Sequence, residues 1–229
     1  MTSIDLSHTA VRQLNAMLHA LPHDTNETLW KVRNPGGKHA IAVGLDAPIA
    51  VEIDGHVGYY CAGMNKHAHV VVRGNAGVGL AENMMSGSVR VEGDASQAAG
   101  ATGRGGLLVI EGNASARCGI SMKGIDIVVK GSIGPMSAFM AQAGNLVVLG
   151  DAGDSLGDSI YEARLFVRGA VRSLGADCIE KPLEPADRVI LKDILARAGL
   201  SDVVRPEEFS LFGSARRLYH FHIDNVGEY

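Results

Sequence analysis

The segment Val70–Ser96, VVVRGNAGVGLAENMMSGSVRVEGDAS, contains one short formula twice. The formula is Val-x-Val-charged-Gly-(Asn or Asp)-Ala, and it occupies Val70–Ala76 and, 19 residues later, Val89–Ala95. A unit that returns at a fixed interval of about 20 residues is typical of a solenoid, in which each repeat forms one turn of a coil. The repeat therefore indicates the fold more directly than any other feature of the chain.

The interval of 19 residues extends through most of the sequence. Glycines that follow an apolar run recur at this spacing, and these predicted structural turns are Gly55, Gly74, Gly93, Gly112, Gly131, Gly150 and Gly169. The residues four and two positions before each glycine are apolar in every copy, as in Val51 and Ile53. Side chains two residues apart leave a strand on the same face, so we predict one β-strand in each coil.

Small residues mark a narrow corner in every coil. Seven residues after the turn glycine the chain has only alanine or glycine, at Ala62, Ala81, Gly100, Gly119, Ala138, Gly157 and Ala176. A βαβ unit does not fit into 19 residues, and the six-residue period of a hexapeptide-repeat helix is absent. We predict an all-β fold, a parallel β-helix of about seven 19-residue coils, spanning roughly 29 Å between the first and last turn glycine.

Helical caps are expected at both ends of the stack. Ser7 is positioned to cap a helix that runs to about Leu21, with an apolar stripe of Val11, Leu14, Leu18 and Leu21. Pro185 suits the first turn of a second helix, with Val189, Ile190, Ile194 and Leu195 predicted to be buried and Gly199 at its exit. The predicted organisation is an N-terminal cap over 1–33, the β-helix over 34–181, and a C-terminal helix with an extended tail over 182–229.

Composition and charge argue against several classes of function. The formal net charge is −4 and no apolar run reaches the roughly 20 residues of a membrane helix, so we expect neither nucleic acid nor membrane as a partner. The N-terminus lacks the pattern of a secretory signal, which predicts a cytoplasmic protein. The repeats offer no nucleophile with a base and no carboxylate pair at a defined spacing, so catalytic and cofactor-binding residues are not expected in this chain.

Several residues resemble ligand sites but have simpler interpretations. Cys61 and Cys118 should lie three coils apart, on the order of 14 Å, which is too far for a disulfide or a shared metal, so we interpret both as core residues. Two histidine pairs, His67 with His69 and His220 with His222, lack a third ligand, and no metal site is predicted. The cluster Gly100–Gly106 does not match a phosphate-binding motif and is read as tight corners, with Arg104 the residue that could contact an anion.

Two surfaces are candidate protein interfaces. Residues three positions before the turn glycine should point outward, yet Val109, Val128, Val147 and Phe166 are apolar; either a partner or the chain's own terminal segments could cover them. Adjacent tyrosines and methionines on another wall suit an adaptable interface, and packing on the N-terminal helix is the alternative. The candidate interface residues are Tyr59, Tyr60, Met64, Met84, Met85, Arg104, Val109, Val128, Val147 and Phe166.

The sequences at the corners of the coils resemble those of a known protein family. The coils GHVGYYCAGMNK, GNAGVGLAENMMSG, GDASQAAGATGRGG and GNASARCGISMKG, followed by SLGADCIEK, resemble the glycine-rich right-handed β-helix (GXGXG) domain at the end of the glutamate synthase large subunit. The similarity is strongest from about Asn34 to Lys181. A freestanding chain of this kind is most similar to the β-helix subunit of N-methylglutamate synthase.

The resemblance implies a non-catalytic subunit of an enzyme complex. In such complexes a glutamine-amidotransferase-like chain and a synthase chain with FMN and an iron–sulfur cluster carry the chemistry, and the β-helix holds them together. The whole complex would convert methylamine and L-glutamate to N-methyl-L-glutamate and ammonia. The alternatives are the β-helix subunit of a formylmethanofuran dehydrogenase or formyltransferase/hydrolase complex, and an independent binding module with a ligand at Arg104 and the glycine corners.

Overall fold

A parallel β-helix occupies most of the chain, as the 19-residue period predicts. The computed structural model describes residues 1–26 and 28–216, and the predicted extended tail with Leu218, His220 and His222 lies outside this part of the chain. The described residues form an 11-stranded sheet with the order β1-β2-β3-β4-β5-β6-β7-β8-β9-β11-β10. From β1 to β9 each strand pairs in parallel with the next one along the chain.

The elements follow the chain in simple order. The strands and helices are β1 Thr2–Asp5, α1 Val11–His19, β2 Leu29–Arg33, β3 Ala50–Asp54, β4 His69–Val72, β5 Ser88–Val91, β6 Leu107–Ile110, β7 Lys123–Val129, β8 Ala143–Val148, β9 Arg164–Val167, β10 Cys178–Lys181, α2 Pro185–Arg197 and β11 Ser210–Ser214. Strand β11 returns antiparallel to both β9 and β10 and lies between them, so β10 forms the C-terminal edge of the sheet.

The strand register confirms the predicted alignment of the coils. Val51 pairs with Val70, Val70 with Val89, and so on at steps of 19 residues up to Leu165 in β9. The two inward residues of each strand from β3 to β9 are at most 1% exposed, and they belong to one continuous apolar core. Stacking like residues on like residues gives every coil the same cross-section, which is why the period is kept so strictly.

A ladder of hydrogen bonds fixes the turn that follows each strand. The side-chain oxygen of Asn75 accepts a bond of 3.0 Å from the backbone N–H of Asp94, and Asp94 accepts one of 2.7 Å from the N–H of Asn113. The same contact continues through Ser132 and Asp151. These side chains satisfy turn N–H groups of the next coil, which explains why Asn, Asp and Ser dominate this position.

Left-handed backbone conformations build the opposite wall. In the coil of Tyr60, Ala62 and Met64 these three residues have φ values of 59°, 54° and 57°, and the equivalent residues of the following coils repeat the pattern. The middle residue of each triplet points into the core, where Ala62, Ala81 and Ala138 are fully buried. Only glycine or alanine occurs at this inward position, as predicted, because a larger side chain would not fit between the stacked coils.

The N-terminal segment packs against the core, but its helix is shorter than predicted. Helix α1 begins at Val11 and not near Ser7, since the Ser7 hydroxyl donates to Asp5 at 2.6 Å instead of capping the helix. The N–H of Ala10 donates to the Gln13 side chain, which provides the cap. Leu14 and Leu18 are buried as predicted, and Val11 and Leu21 pack at the margin of the core.

The C-terminal segment covers the outward apolar column of the sheet. Val128, Val147 and Phe166 are fully buried and Val109 is 2% exposed, because residues of α2 and of the following segment pack on them. The hypothesis that this column forms a subunit interface is therefore wrong for this surface, and cover by the chain's own terminal segment is the correct alternative. The covering residues are Leu191, Ile194, Leu195, Ala198, Leu200, Val204, Phe209 and Leu211.

Ion pairs hold the C-terminal segment in place. Arg164 pairs with Asp187 at 3.0 Å, Arg168 pairs with Glu208 at 3.0 Å, and Arg197 pairs with Asp126. Helix α2 starts at Pro185, and Gly199 follows it with φ +79°, as predicted. Val189 is 69% exposed and not buried as expected, since the face of α2 that contacts the sheet is formed by Leu191, Ile194 and Leu195.

Candidate interface surfaces and a histidine cluster

Exposed tyrosine and methionine side chains form a first candidate interface on the left-handed wall. Tyr59, Tyr60, Met64 and Met85 are 50%, 49%, 50% and 40% exposed, and we call them the N-terminal patch. The Tyr59 ring stacks on the His39 ring of the preceding coil at a centroid distance of 4.5 Å. Met85 follows in the next coil, where its N–H donates to the Asn65 carbonyl at 2.8 Å. The N-terminal helix, on which packing was the alternative interpretation, therefore does not bury these four side chains.

Met84 does not belong to this surface, although it was a candidate interface residue. Its side chain is fully buried in the core. The sequence contains a signal that separates the two methionines, because equivalent positions in successive coils share one direction. The column of Met84 continues through Gly103, Met122, Ala141 and Ile160, which are apolar or small, whereas the column of Met85 includes the charged residues Lys66, Arg104 and Lys123.

A second apolar surface lies at the other end of the same wall. Met140 is 41% exposed and Tyr161 is 45% exposed, and we call them the C-terminal patch. Met140 occupies the column of Met64, four coils later, and has the same left-handed conformation with φ 52°. Tyr161 also lines a groove of about 580 Å³ beside Ile179, another exposed apolar side chain. Sequence reasoning missed this patch.

Polar residues separate the two patches. Between Met64 and Met140 the same column contains Asn83, Thr102 and Ser121, and the Thr102 hydroxyl donates to the Asn83 side chain at 2.7 Å. The exposed side chains of Arg104 and Lys123 stand in the neighbouring column. The wall therefore presents two apolar surfaces with a polar, positively charged surface between them.

The glycine cluster around Arg104 forms corners of the coil, as predicted. Gly100, Thr102 and Gly106 have φ values of 69°, 55° and 85°. A Cβ at Gly103 would lie 2.8 Å from Ile125, and one at Gly105 would lie 2.7 Å from the Met85 carbonyl oxygen. Close packing between coils thus accounts for these glycines.

Cys61 and Cys118 are core residues, as predicted. Cys61 and Cys118 are fully buried, unbonded thiols, and Cys178 near the C-terminal end of the sheet is buried as well. Burial raises the pKa of the Cys61 and Cys118 thiols from 9.0 to about 12. Since the thiolate is the nucleophilic form, neither residue is suited to covalent catalysis at neutral pH.

One group of potential metal ligands comes together at the edge of the first coils. His23, Asp46 and His67 each offer one ligand atom, and these three atoms lie within 4.8 Å of one another. Nε2 of His67 is 3.7 Å from Oδ1 of Asp46, and the His23 and His67 rings meet edge to face at a centroid distance of 5.8 Å. The hydrogen bond from Lys66 holds the pKa of the Asp46 carboxyl below its usual value, with smaller contributions from the two histidines.

His67 and His69 do not act as a pair. His69 turns toward the next coil, where its Nδ1 contacts the Ser88 hydroxyl at 2.8 Å. His67 instead lies beside His23 and Asp46, which are distant from it in the sequence. The spacing of histidines along the chain therefore does not indicate this cluster. The second pair in the sequence, His220 and His222, lies outside the described residues.

Comparison with known proteins identifies a relative along the whole chain. No family model matches the sequence. Protein GlxC of Rhizobium meliloti (strain 1021) is 62% identical over 229 residues, which cover 100% of this chain and 100% of the relative. This chain belongs to the GlxC family. The alignment with GlxC includes the coils and both flanking segments. The observed β-helix fits the domain expected from the resemblance to glutamate-synthase-like proteins.

The match to GlxC shows the family of this chain, and the name of that relative states no activity. Within residues 1–26 and 28–216, neither helix is long and apolar enough to cross a membrane. The candidate binding surfaces of the described residues are the two patches on the left-handed wall, the groove beside Tyr161 and the histidine cluster.

Proposed function

We propose that this chain is the β-helix subunit of a glutamate-synthase-like complex and that it holds two other chains in a fixed relative position. The specific form that we propose is N-methylglutamate synthase, in which an amidotransferase-like chain joins an FMN and iron–sulfur synthase chain. The partners carry out the chemistry, and the complex converts methylamine and L-glutamate to N-methyl-L-glutamate and ammonia. The coil sequences and the full-length relative in the GlxC family support the glutamate-synthase-like part of this proposal.

The pair of apolar patches on one wall is the observation that carries the scaffold role. Exposed methionine and tyrosine side chains are typical of adaptable interface cores. The N-terminal patch and the C-terminal patch each have this composition, and they are separated by coils whose exposed side chains are polar. At about 4.8 Å per coil, Met64 and Met140 stand roughly 19 Å apart along the stack, which suits two partners side by side.

A β-helix provides the rigidity that a scaffold requires. The backbone N–H groups of Tyr60 and Met64 donate to the following coil at 2.8 Å, and the N–H of Ala62 donates to the preceding coil at 3.0 Å. Each coil is thus bonded to both neighbours along the wall that bears the patches. A partner bound at one end would keep its distance and orientation relative to a partner bound at the other end.

Co-purification from the native host tests the complex. The tagged chain should bring down an amidotransferase-like chain and a flavin-containing chain, identified by mass spectrometry and by flavin absorbance. The purified complex should form N-methylglutamate when methylamine is supplied, and an ordinary glutamate synthase would instead form glutamate from 2-oxoglutarate and glutamine. A chain that is purified alone and colourless would overturn the proposal.

Matched substitutions on the left-handed wall test the two-patch arrangement. Met64→Asp and Met140→Asp place the same charge at equivalent positions with φ values of 57° and 52°. We expect each substitution to release a different partner while the other partner remains bound. Ser121→Asp is the control, because it lies in the same column with φ 52° but between the patches. Retention of both partners by both methionine variants would contradict the assignment of the patches.

A further inference from the structure

We propose that His23, Asp46 and His67 form a binding site for a divalent transition-metal ion, with Zn²⁺ as the occupant. Two imidazoles and one carboxylate are a ligand set that zinc takes in proteins, and a water molecule would complete four-coordination. The three ligand atoms already lie within 4.8 Å of one another. The proposal does not rest on the proposed function, since the three ligand atoms alone carry it.

The ligands come from three segments that the fold brings together. His23 lies in the connection between α1 and β2, Asp46 precedes β3, and His67 precedes β4. Asp46 and His67 occupy the same corner of adjacent coils, where the N–H of Lys66 donates to the Leu45 carbonyl at 2.9 Å. A bound ion would therefore link the N-terminal segment to the first two coils of the stack.

The backbone around His67 is held in place before any ion binds. Asn65 is fully buried, and its amide group donates to the Ala68 carbonyl at 2.8 Å and accepts from the Ala68 N–H at 3.2 Å. This clamp closes the short turn that carries His67. The same amide group also donates to the Ser86 carbonyl at 3.1 Å, which ties the turn to the next coil. Positioning of ligands by hydrogen-bonded neighbours is typical of metal sites in proteins.

Asp46 is oriented by its other carboxylate oxygen. The Lys66 ammonium donates to Oδ2 at 3.1 Å, and this contact leaves Oδ1 facing Nε2 of His67 at 3.7 Å. Two ligands of one tetrahedral Zn²⁺, each about 2.0–2.1 Å from the metal, would be about 3.3 Å apart. Small side-chain rotations would bring the observed atoms to this separation, since all three side chains are exposed.

The chemistry of the ligands selects the class of metal. Imidazole nitrogen suits Zn²⁺, Ni²⁺ and Cu²⁺, and in the general order for divalent ions Cu²⁺ binds most tightly. We assign Zn²⁺ because three protein ligands and one water give the tetrahedral arrangement that zinc adopts in proteins. Mg²⁺ and Ca²⁺ prefer oxygen ligands, of which this cluster offers only one carboxylate, so neither ion should compete.

Zinc titration of the untagged full chain, with a chromophoric chelator as competitor, tests the site. His220→Ala and His222→Ala are introduced into every protein so that this second histidine pair cannot contribute. We expect one Zn²⁺ per chain, and binding at least about tenfold weaker after His23→Ala or His67→Ala. His69→Ala is the control, because His69 is two residues from His67 but contacts Ser88 instead. Its affinity should be unchanged.

Thermal unfolding provides a second readout that does not depend on the chelator. A ligand that binds only the folded state raises the melting temperature. Zn²⁺ should therefore stabilise the starting chain and the His69→Ala variant, but not the His23→Ala variant. Excess Mg²⁺ should have no such effect. Zinc binding that is absent, or that is equally tight in the His23→Ala and His67→Ala proteins, would overturn the proposal.

Discussion

Each left-handed residue faces either into the core or out of the coil, and this direction decides which side chains it can carry. Alanine or glycine fills the inward column, whereas the two flanking columns accept Tyr60, Met64 and Arg117 with φ values near 60°. The same backbone conformation thus carries very different side chains. Space within the stack, rather than conformation alone, accounts for the small residues at the predicted corners.

Gly119→Leu should destabilise the protein by more than about 3 kcal/mol, because it adds both bulk and backbone strain at the inward column. Gly119 has φ +69°, and a Cβ there would already lie 3.3 Å from Ile127 and Met122. Denaturant unfolding measures the change in the free energy of unfolding. Arg117→Leu is the control, since Arg117 lies in the same coil with φ 60° but is exposed. This variant should stay within about 0.5 kcal/mol of the parent, and equal stability of the two leucine variants would refute the assigned register.

At the scale of the elements, the outward face of the sheet changes character where the C-terminal segment begins to cover it. The first residues of this column are Lys31, Glu52, Val71 and Arg90, which stay partly exposed, and the column then becomes fully apolar. Arg90 marks the boundary, because its guanidinium donates to the Ala198 carbonyl at 2.9 Å at the end of α2. The cation therefore interacts favourably with the C-terminal end of the helix.

Val128→Asp should lower the free energy of unfolding by more than about 3 kcal/mol, because it places a carboxylate in the apolar contact between the sheet and α2. Val128 is fully buried there. Val189→Asp is the matched control on the outer face of α2, where the side chain is 69% exposed and a charge remains solvated. Urea unfolding of both variants checks the prediction. A Val128→Asp protein as stable as the control would mean that the segment does not pack on this column in solution.

At the scale of the whole molecule, one apolar core runs through all the coils. It extends from Leu14 and Trp30 at the N-terminal end to Phe212 in β11. Cys61 and Cys118 lie in different coils of this core, and each thiol is buried without a charged neighbour among the causes of its shifted pKa. Ionisation of either thiol is therefore coupled to unfolding of the stack.

The free energy of unfolding should fall as the pH rises from about 9 toward 12. The thiol pKa is 9.0 in the unfolded chain and about 12 in the folded protein, so the unfolded state loses its protons first and is favoured at alkaline pH. The loss at pH 10 should be on the order of 1 kcal/mol for each thiol. Urea unfolding at pH 8 and pH 10 measures it, and the Cys61→Ala/Cys118→Ala variant should show a shallower decrease. Identical decreases in the two proteins would contradict this origin.

The features predicted from the sequence are those that repeat. Paired apolar residues such as Val70 and Val72 recur in every coil, so the strands, their register and the turn glycines could all be predicted. The ion pairs of Arg73 with Glu92 and of Lys130 with Glu111 follow from the same register. Each of these features depends only on neighbours at one fixed interval.

Features formed once could not be predicted in the same way. The apolar residues of α2 and of the sheet column were visible in the sequence, but nothing in either pattern specified that they contact each other. Strands β1 and β11 lie outside the repeat. The cluster of His23, Asp46 and His67 combines residues from three connections, and its members are as far as 44 positions apart in the sequence.

The ladder of Asn75, Asp94 and Asn113 has a consequence for how such a chain can change its length. Each coil presents the same acceptor to the coil after it and the same N–H donor to the coil before it. Insertion or deletion of one complete 19-residue unit would restore the bonds of the ladder across the junction, whereas a change of a few residues would break them. Duplication or loss of whole coils is therefore the route by which evolution, or a protein engineer, could adjust the distance between the two ends.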